Sequence, residues 1–310
     1  MKIIVFDVGN AFCSLIKSPN GYGLMIDCGC HNDKDNPVNV IRNNVEWLEL
    51  KPFVASTGTS YPLGLLHITH PDDDHVRNAA RIERELKPYL LRKIKWEEFP
   101  DGKDINNDYK QSIDNQYRGS NPETIEWGFD ENKIFQIPID TVKTDEELSK
   151  KVRNNSSILR YISHNGVRIL FTGDLETAGR QWLIDNNRDF VNTVKSGIDI
   201  FIAPHHGHNS GFPKCLFDLI GNVKMIIHSK GSEANIEGTD VAAQYSNYAD
   251  GANYYNLKDK KVYNGKVLTT RSNGNIYINF LPDSFRVWTD KASSNHDVQY
   301  HTNADVINRM

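Results

Sequence analysis

The order of the predicted elements indicates an α/β fold in which two β-sheets pack face to face and helices cover their outer sides. Strand-rich and helical segments alternate along the chain in the order β, α, β, α, β, and no repeat of fixed period interrupts them. Apolar strands end in histidine or aspartate at three separate places. In α/β proteins the active-site loops typically collect at such strand ends.

The first half of the chain is predicted to be a strand-rich unit followed by helices. Ser18-Pro-Asn-Gly21 predicts a hairpin turn, and residues 97–132, which are polar and rich in Asn, Asp and Gly, predict an insertion or lid. From the spacing of apolar residues, strands are predicted at 2–8, 11–17, 22–27 and 65–68, and helices at 37–50 and 76–95.

The second half continues the alternation and closes on strands. Thr144-Asp-Glu-Glu147 is a capping-box pattern, which predicts a short helix over 144–152. The tail from Thr289 has little apolar content. Strands are predicted at 158–162, 166–172, 198–203 and 223–229, helices at 175–194 and 212–220, and a β-meander over 263–288.

The composition is that of a soluble globular protein. Hydrophobic residues make up 38% of the 310 residues and charged residues 25%, which suits one large domain or two small ones. The formal net charge of −4 gives no general basic field for nucleic acid. We find no apolar run of about 18 residues, no signal-peptide pattern at the start, and only four cysteines. A cytoplasmic location without a membrane partner is therefore predicted.

The segment 63–78 concentrates the residues that suggest chemistry. Pro71 ends a buried strand, because proline has no N–H for a central ladder. Three aspartates and His75 then follow His70 closely, and carboxylates so crowded repel one another unless a cation lies among them. A solvated aspartate-rich turn is the alternative. Because imidazole nitrogen and carboxylate oxygen are donors for divalent metals, the predicted ligands are His70, Asp72, Asp74 and His75.

Two further strand ends carry the same residue types. Asp174 follows Phe171-Thr-Gly173, and His205 and His206 follow Ile202-Ala-Pro204. Either motif alone would be a turn or a surface loop as readily as a site. Together with the 70–75 segment they predict one metal site, assembled at an edge of a sheet.

Six motifs occur in a fixed order along the chain. They are Asp7-Val-Gly9-Asn10, Met25-Ile-Asp27-Cys-Gly29, Thr69-His-Pro-Asp-Asp-Asp-His75, Asn155-Ser-Ser157, Phe171-Thr-Gly-Asp174 and Pro204-His-His-Gly207. Together they resemble the metallo-β-lactamase superfamily, and specifically its competence-protein (ComEC-like) branch, here without a membrane channel. The resemblance implies a four-layer αββα sandwich with a pair of metal ions at one sheet edge. It makes residues 1–288 a single hydrolase domain, with the insertion at about 97–132, and leaves 289–310 as a C-terminal tail.

The resemblance also implies ligands for two divalent ions. His70 and Asp72 would hold the first ion, Asp74 and His75 the second, and Asp174 would bridge both. His205 or His206 would complete the second position, and the sequence leaves open which one does so. The remaining histidine would lie behind the ligands or face the substrate.

The chain departs from the superfamily pattern around the first ion. Asp72 stands where many members have a histidine, and Asn155 or Ser156 stands where many have a third histidine before a strand. His164 lies too far along the chain to replace it. The position is therefore richer in oxygen and poorer in ligands, which favours Mn²⁺ or Mg²⁺ and leaves Zn²⁺ open. We expect its ion to bind weakly, or only together with substrate.

The resemblance assigns further roles. Two ions about 3.5–4 Å apart would lower the pKa of a shared water from about 15.7 towards about 7. Asp74 would bind metal and receive a proton from the nucleophile, while His206, or His205, would stabilise charge or protonate the leaving group. The predicted substrate-binding residues are His208, Asn209, Asn155 and Ser156.

We therefore predict a metal-dependent hydrolase of ester bonds, and in particular a phosphodiesterase or nuclease. A nucleic acid or nucleotide substrate is favoured by the branch resemblance and by the basic residues of 77–95, for which a solvated helix face is the alternative. Cleavage of a carboxylic ester, lactone or phosphorylcholine ester stays open, as does a metal-binding regulatory module without turnover. The sequence leaves protein partners and the oligomeric state open.

Overall fold

Two β-sheets contain most of the strands in the computed structural model, which describes residues 1–31, 36–117, 124–231 and 242–291. The strands are β1 (Lys2–Val5), β2 (Cys13–Lys17), β3 (Gly23–Cys28), β4 (Phe53–Val54), β5 (Ser60–Tyr61), β6 (Leu63–His67), β7 (Pro88–Arg92), β8 (Glu131–Phe135), β9 (Leu159–His164), β10 (Val167–Phe171), β11 (Ile200–Ile202), β12 (Met225–His228), β13 (Ala252–Asn256), β14 (Lys261–Gly265), β15 (Val267–Thr269), β16 (Ile276–Leu281) and β17 (Ser284–Thr289).

The α-helices are short and lie between these strands. They are α1 (Pro37–Asn43), α2 (Val45–Leu48), α3 (Asp73–Val76), α4 (Ala79–Leu86), α5 (Asn107–Tyr109), α6 (Ile139–Thr144), α7 (Val152–Asn155), α8 (Thr177–Asn186), α9 (Arg188–Lys195), α10 (Lys214–Ile220), α11 (Ala242–Ser246) and α12 (Thr270–Asn273). Among the described residues, none of the helices combines the length and the apolar character needed to cross a lipid bilayer.

The larger sheet has the strand order β14-β13-β17-β16-β1-β2-β3-β6-β7, and the smaller one β15-β12-β11-β10-β9-β8. Strands β3, β6 and β7 run parallel to one another, as do β10, β11, β12 and β15. The carboxyl ends of neighbouring parallel strands lie at the same edge of a sheet, so the loops after β3 and β6 are neighbours, as are those after β10 and β11.

The main core lies between the two sheets. Ile26 and Leu65 of the larger sheet and Ile169, Phe171 and Ile202 of the smaller one belong to a single buried apolar cluster. Two further apolar clusters bury the outer faces of the sheets beneath helices. Because both faces of each sheet are covered, the central strands are apolar almost throughout. The predicted four-layer αββα sandwich is confirmed.

The single helix predicted over 76–95 is wrong in its second half. Helix α4 ends at Leu86, Lys87 takes a left-handed conformation with φ 39°, and Pro88 begins β7. Proline cannot continue a helix without losing a backbone hydrogen bond. The following Tyr-Leu-Leu sequence instead pairs with β6. The residues after Lys87 therefore form an edge strand of the larger sheet rather than a helix.

The basic residues on this segment are largely paired with carboxylates. Glu85 accepts hydrogen bonds from Arg81 at 2.9 Å and Arg84 at 3.0 Å, and lies 2.9 Å from Arg42. Arg77 lies 3.4 Å from Asp73. The segment therefore supports the alternative of an ordinary helix face better than it supports an open basic surface.

Three other boundaries differ from the predictions. The helical turn near 148 is capped by Asp145 rather than Thr144, because Asp145 Oδ1 accepts from the N–H groups of Glu147 and Leu148. The helix predicted over 175–194 is divided at Asn187, whose side chain caps α9. The predicted meander is interrupted, because β15 leaves the larger sheet and pairs with β12 of the smaller one.

The described part of the 97–132 insertion contains short helical turns rather than irregular chain. Phe99 and Tyr109 are buried against the outer face of the larger sheet, and Trp127 reaches the core between the sheets. Residues 118–123 lie outside the described residues, as do residues 292–310 of the predicted tail. The last strand, β17, ends at Thr289.

The double-sheet core gives a matched pair of substitutions. Val5 is fully buried between the sheets, whereas Val54 is 59% exposed. We expect Val5→Ala to lower the free energy of unfolding by about 2 kcal/mol, from lost burial and the cavity left behind. Val54→Ala should change it by less than about 0.5 kcal/mol. Urea denaturation of both variants measures the difference, and equal effects would contradict the assigned packing.

Candidate metal centre

The three strand ends singled out in the sequence meet at one edge of the sandwich. Asp74 and His75 lie in α3, just after β6, while Asp174 follows β10 and His206 follows β11. One ligand atom from each of these four side chains lies within 4.8 Å of the others. The structure therefore brings together two carboxylates and two imidazoles from three segments that are far apart in the sequence.

Glycine at position 29, just after β3, allows the backbone at Asp74 in α3 to approach closely. A Cβ atom on Gly29 would lie 1.6 Å from the Asp74 carbonyl oxygen. That oxygen accepts a hydrogen bond from the Phe12 N–H at 2.9 Å. Gly29 thus leaves room for the backbone of Asp74, which fixes where its carboxylate lies.

A buried carboxylate behind the cluster sets the protonation of two histidines. Asp27 accepts from the Thr69 N–H at 2.6 Å and from the Thr69 hydroxyl at 2.7 Å. His75 Nδ1 lies 2.7 Å from Asp27 Oδ2, and since a carboxylate only accepts, Nδ1 carries the proton. The Thr69 hydroxyl donates its proton to Asp27. In the 3.2 Å contact between Thr69 Oγ1 and His70 Nδ1, the hydroxyl oxygen therefore accepts and the ring N–H donates. The Nε2 atoms of both histidines are then lone-pair donors.

His206 is held in the same way from the other sheet. Its Nδ1 donates to the Ser229 carbonyl oxygen at 2.9 Å, which leaves Nε2 facing Asp74 Oδ2 at 3.0 Å. His75 Nε2 likewise lies 3.1 Å from Asp174 Oδ1. Each of these contacts joins two acceptor atoms. A cation between them, either a proton or a metal ion, is required to make the arrangement favourable.

The residues present fit a divalent metal ion. The Nε2 atoms of His70 and His75 are buried and make no hydrogen bond. A histidine that donates one N–H to a carboxylate and turns its other nitrogen to the centre is the usual arrangement around a protein-bound metal. Two imidazole and two carboxylate donors also match the ligands that Zn²⁺ and Mn²⁺ accept.

The charges of the cluster are strongly coupled. Burial opposes ionisation of Asp174, but the imidazoles of His75, His206 and His70 outweigh it and hold the pKa of this carboxyl well below its ordinary value. Burial likewise opposes ionisation of Asp74, whose pKa is nevertheless lowered by His75 and His206. Burial opposes protonation of His75, whose pKa is nevertheless raised well above normal by Asp174, Asp27 and Asp74. The site therefore attracts positive charge.

The residues predicted for the first ion lie beside this cluster. His70 Nε2 is 3.6 Å from Asp72 Oδ2 and 3.8 Å from Asp174 Oδ2. Asp72 has a second partner, because its Oδ1 accepts a hydrogen bond from Arg153 Nη1 at 3.0 Å. Position one therefore offers His70, Asp72 and a share of Asp174, and a guanidinium adjoins it.

The two histidines of the 205–206 pair have different surroundings. Both Nε2 atoms lie 3.9 Å from Asp174 Oδ2, but His206 belongs to the four-residue cluster and its Nε2 is also 3.0 Å from Asp74 Oδ2. His205 Nδ1 instead lies 3.1 Å from Ser210 Oγ and 3.2 Å from Glu176 Oε1. Burial opposes protonation of His205, but Glu176 and Asp174 raise its pKa above the ordinary value. The geometry favours His206 as the ligand.

The predicted substrate-binding residues divide into two groups. Asn155 and Ser156 are buried, and their side chains donate to the carbonyl oxygens of Leu148 and Val152. His208 packs against the His205 ring at 4.9 Å, and Asn209 beside it is exposed. Only the second pair therefore lies on an accessible surface near the histidines.

Three residues of the site were not predicted from the sequence, namely Asp27, Glu176 and Arg153. Asp27 ends an apolar strand just as His70 does, so the same signal was present in the Met-Ile-Asp sequence. Glu176 follows Asp174 by two residues and contacts both His205 and Asn154. Arg153 carries no such signal, because its partner Asp72 is 81 residues away.

A family model described as the metallo-beta-lactamase superfamily matches residues 6–216. No curated protein matches the chain in sequence. Among solved structures, the metallo-beta-lactamase fold protein YhfI from Bacillus subtilis is similar, at 10% identity over 89% of this chain and 99% of that chain, with a TM-score of 0.44.

Two other solved structures are similar over a smaller share of the chain. Zn(2+)-bound PqqB from Methylobacterium extorquens is 12% identical over 64% of this chain and 71% of that chain, with a TM-score of 0.36. MEM-A1, a subclass B3 metallo-beta-lactamase isolated from a soil metagenome library, is 14% identical over 66% of this chain and 76% of that chain, with a TM-score of 0.38.

Replacing Asp27 tests the support behind the cluster. In Asp27→Asn the amide oxygen can still accept from the Thr69 N–H, but an amide nitrogen in place of Oδ2 accepts neither the Thr69 hydroxyl proton nor the His75 Nδ1 proton. We expect metal affinity to fall about 10–100-fold with the protein still folded, measured by competition with a metal indicator. Asp130→Asn is the control, since Asp130 also accepts a backbone N–H and lies near a histidine, His164, but is 56% exposed. Equal affinity in both variants would contradict the role of Asp27.

Proposed function

The chain belongs to the metallo-beta-lactamase superfamily, and from this premise we propose that it is a metal-dependent phosphodiesterase acting on a nucleotide or a short nucleic acid. Metal-dependent hydrolysis is typical of this superfamily. The observation that carries the proposal is the cluster of two carboxylates and two imidazoles within 4.8 Å. The order of the six motifs favours the competence-protein branch.

The residues that would hold an ion are Asp74, His75, Asp174 and His206. An ion at the first position would be held by His70, Asp72 and the shared Asp174. Each ion would be Zn²⁺, Mn²⁺ or Mg²⁺. A divalent ion bound here lowers the pKa of a water molecule and offsets negative charge on the substrate. Asp27, Thr69 and Ser229 keep the imidazole nitrogens turned towards the centre. These side chains are therefore already oriented when substrate binds, and the site needs no free energy to reorganise them.

Two features favour a phosphodiester over a neutral ester. The donor set is rich in carboxylate oxygen, which suits Mn²⁺ and Mg²⁺, ions that commonly accompany phosphate substrates. Arg153 places a guanidinium next to the cluster. The pairing of the 77–95 arginines with Glu85 and Asp73 gives no support for a long polynucleotide track. The substrate we propose is therefore small.

Two side chains would handle protons. The low pKa of Asp74 keeps its carboxylate charged at neutral pH, so the carboxylate can orient the attacking water. A proton that Asp74 receives from this water would be passed on rather than retained. We assign protonation of the leaving group to His205, which is backed by Glu176 at 3.2 Å and turns Nε2 towards the cluster. Burial opposes its protonation, but Glu176 and Asp174 raise its pKa, which favours the protonated form that can donate a proton.

The neighbouring residues Asp74 and Asp73 provide a matched test of the proposed activity. Asp74 faces His206, whereas Asp73 is half exposed and pairs with Arg77. We expect Asp74→Asn to lower kcat/KM for bis(p-nitrophenyl) phosphate at least about 10²-fold, and Asp73→Asn to leave it nearly unchanged. A chelator should abolish the activity, and Mn²⁺ should restore it. Turnover of p-nitrophenyl acetate or a lactone alone would replace this proposal by a carboxylic-ester hydrolase.

The role of His205 predicts a dependence on the leaving group. A p-nitrophenolate departs without protonation, whereas the sugar alkoxide of a dinucleotide needs a proton. His205→Gln should therefore cost about 10²-fold or more on a dinucleotide and little on bis(p-nitrophenyl) phosphate. Its metal content should equal that of the unmodified protein, while His206→Gln should lose metal. Equal losses on both substrates would assign His205 to metal binding instead.

A further inference from the structure

We infer that Arg153 acts as a fixed cation at the first ion position, so that each chain keeps one tightly bound divalent ion, at Asp74, His75, Asp174 and His206. The inference rests on the proposed metal-dependent function and specifies how many ions the site retains without substrate. It concerns binding, so it can be tested independently of any turnover.

Arg153 is clamped between the site and the insertion. Its Nη1 lies 3.0 Å from Asp72 Oδ1, and its Nη2 lies 2.8 Å from Asp101 Oδ2 and donates to the Asp101 carbonyl oxygen at 3.2 Å. The side chain is only 20% exposed. Arg153 is the second residue of α7, shortly before β9. A permanent positive charge therefore lies beside the first ion position.

This charge disfavours an ion at the first position for two reasons. Asp72 shares its negative charge with the guanidinium, which leaves less of it for a metal. The guanidinium also repels a divalent cation, and the repulsion is screened weakly because both groups are largely shielded from water. The second position has four donors, with Asp174 among them, whereas the first has His70, Asp72 and only a share of Asp174.

An opposite role for Arg153 makes the question decidable by sign. An arginine that merely orients a ligating Asp72 would strengthen metal binding at the first position. Its removal would then lower the number of bound ions. If Arg153 instead competes with the metal, its removal frees Asp72 and raises that number.

The experiment is an Mn²⁺ titration of the whole chain in the absence of substrate, followed by calorimetry and by metal analysis after gel filtration. We expect about one ion per chain in the unmodified protein and in Arg153→Lys, which keeps the charge. Arg153→Gln should bind about two ions. The ion at the first position should bind at least about tenfold more tightly than it does in the unmodified protein. Lys150→Gln is the control. Lys150 lies three residues before Arg153, is exposed, and pairs with Glu147.

Asp72→Asn provides a second test that does not depend on how well the arginine variants fold. If Asp72 serves Arg153 rather than a resident ion, the Asn variant should still bind about one ion, whereas a two-ion site would drop from about two to one. Thermal unfolding checks that each variant is folded.

Two results would overturn the inference, namely two equally tight ions in the unmodified protein, or Arg153→Gln with no more than one. One ion per chain in the absence of any phosphodiester turnover would overturn the proposed function and leave this inference standing. An unmodified protein that binds no ion would overturn both.

Discussion

Repulsion between buried carboxylates is the constraint on which this site depends. Asp27 and Asp174 are almost completely buried at one edge of the sandwich, and Asp74 lies beside Asp174. Carboxylates are costly to bury unless each is paired and hydrogen-bonded. Here the compensation comes from imidazole rings, since His75 lies between Asp27 and Asp174, and His206 faces Asp74. The ring nitrogens that remain unprotonated are then directed at carboxylate oxygens. Because both atoms of each such contact are acceptors, the contact is favourable only with a further cation between them.

The backbone is bent to hold these side chains in place. Asp27, His205 and His206 all have positive φ, at 55°, 50° and 53°. Non-glycine residues in this region cost of the order of 1–3 kcal/mol each, and persist only where the surroundings enforce them. Around Asp27 the two hydrogen bonds from Thr69 supply that enforcement. Three strained residues thus lie where loops from both sheets must direct polar groups towards one point.

The sequence predicted the architecture and most of the metal-type residues because both depend on local signals. Apolar strands and the histidines and aspartates that end them can be recognised one segment at a time. Strand β7 was read as helix, and β15 as part of a meander, because each is defined by pairing with a distant strand. The same limit applies to the site.

Within the site, the difference between predicted and unpredicted residues is again one of distance along the chain. Asp27 precedes His75 by 48 residues and supports it only because β3 lies beside β6 in the sheet. The choice between His205 and His206 depends on the Ser229 carbonyl, which fixes the tautomer of one of them. Local pattern therefore predicts which residue types gather, and tertiary packing decides which atoms face one another.

Charge balance then connects the number of ions to the class of substrate. The Arg153 guanidinium lies 3.0 Å from Asp72, and the His205 imidazole lies 3.2 Å from Glu176. Asp27, Asp74 and Asp174 remain, so a single divalent ion leaves the site with a small negative charge. An anionic phosphodiester would be repelled by that remainder, because the site is shielded from water. A second divalent ion entering with the substrate would remove this repulsion, so a weak first position would be compatible with the proposed hydrolysis of an anion. A neutral ester would need no such ion, so the ion requirement of turnover reports the charge of the natural substrate.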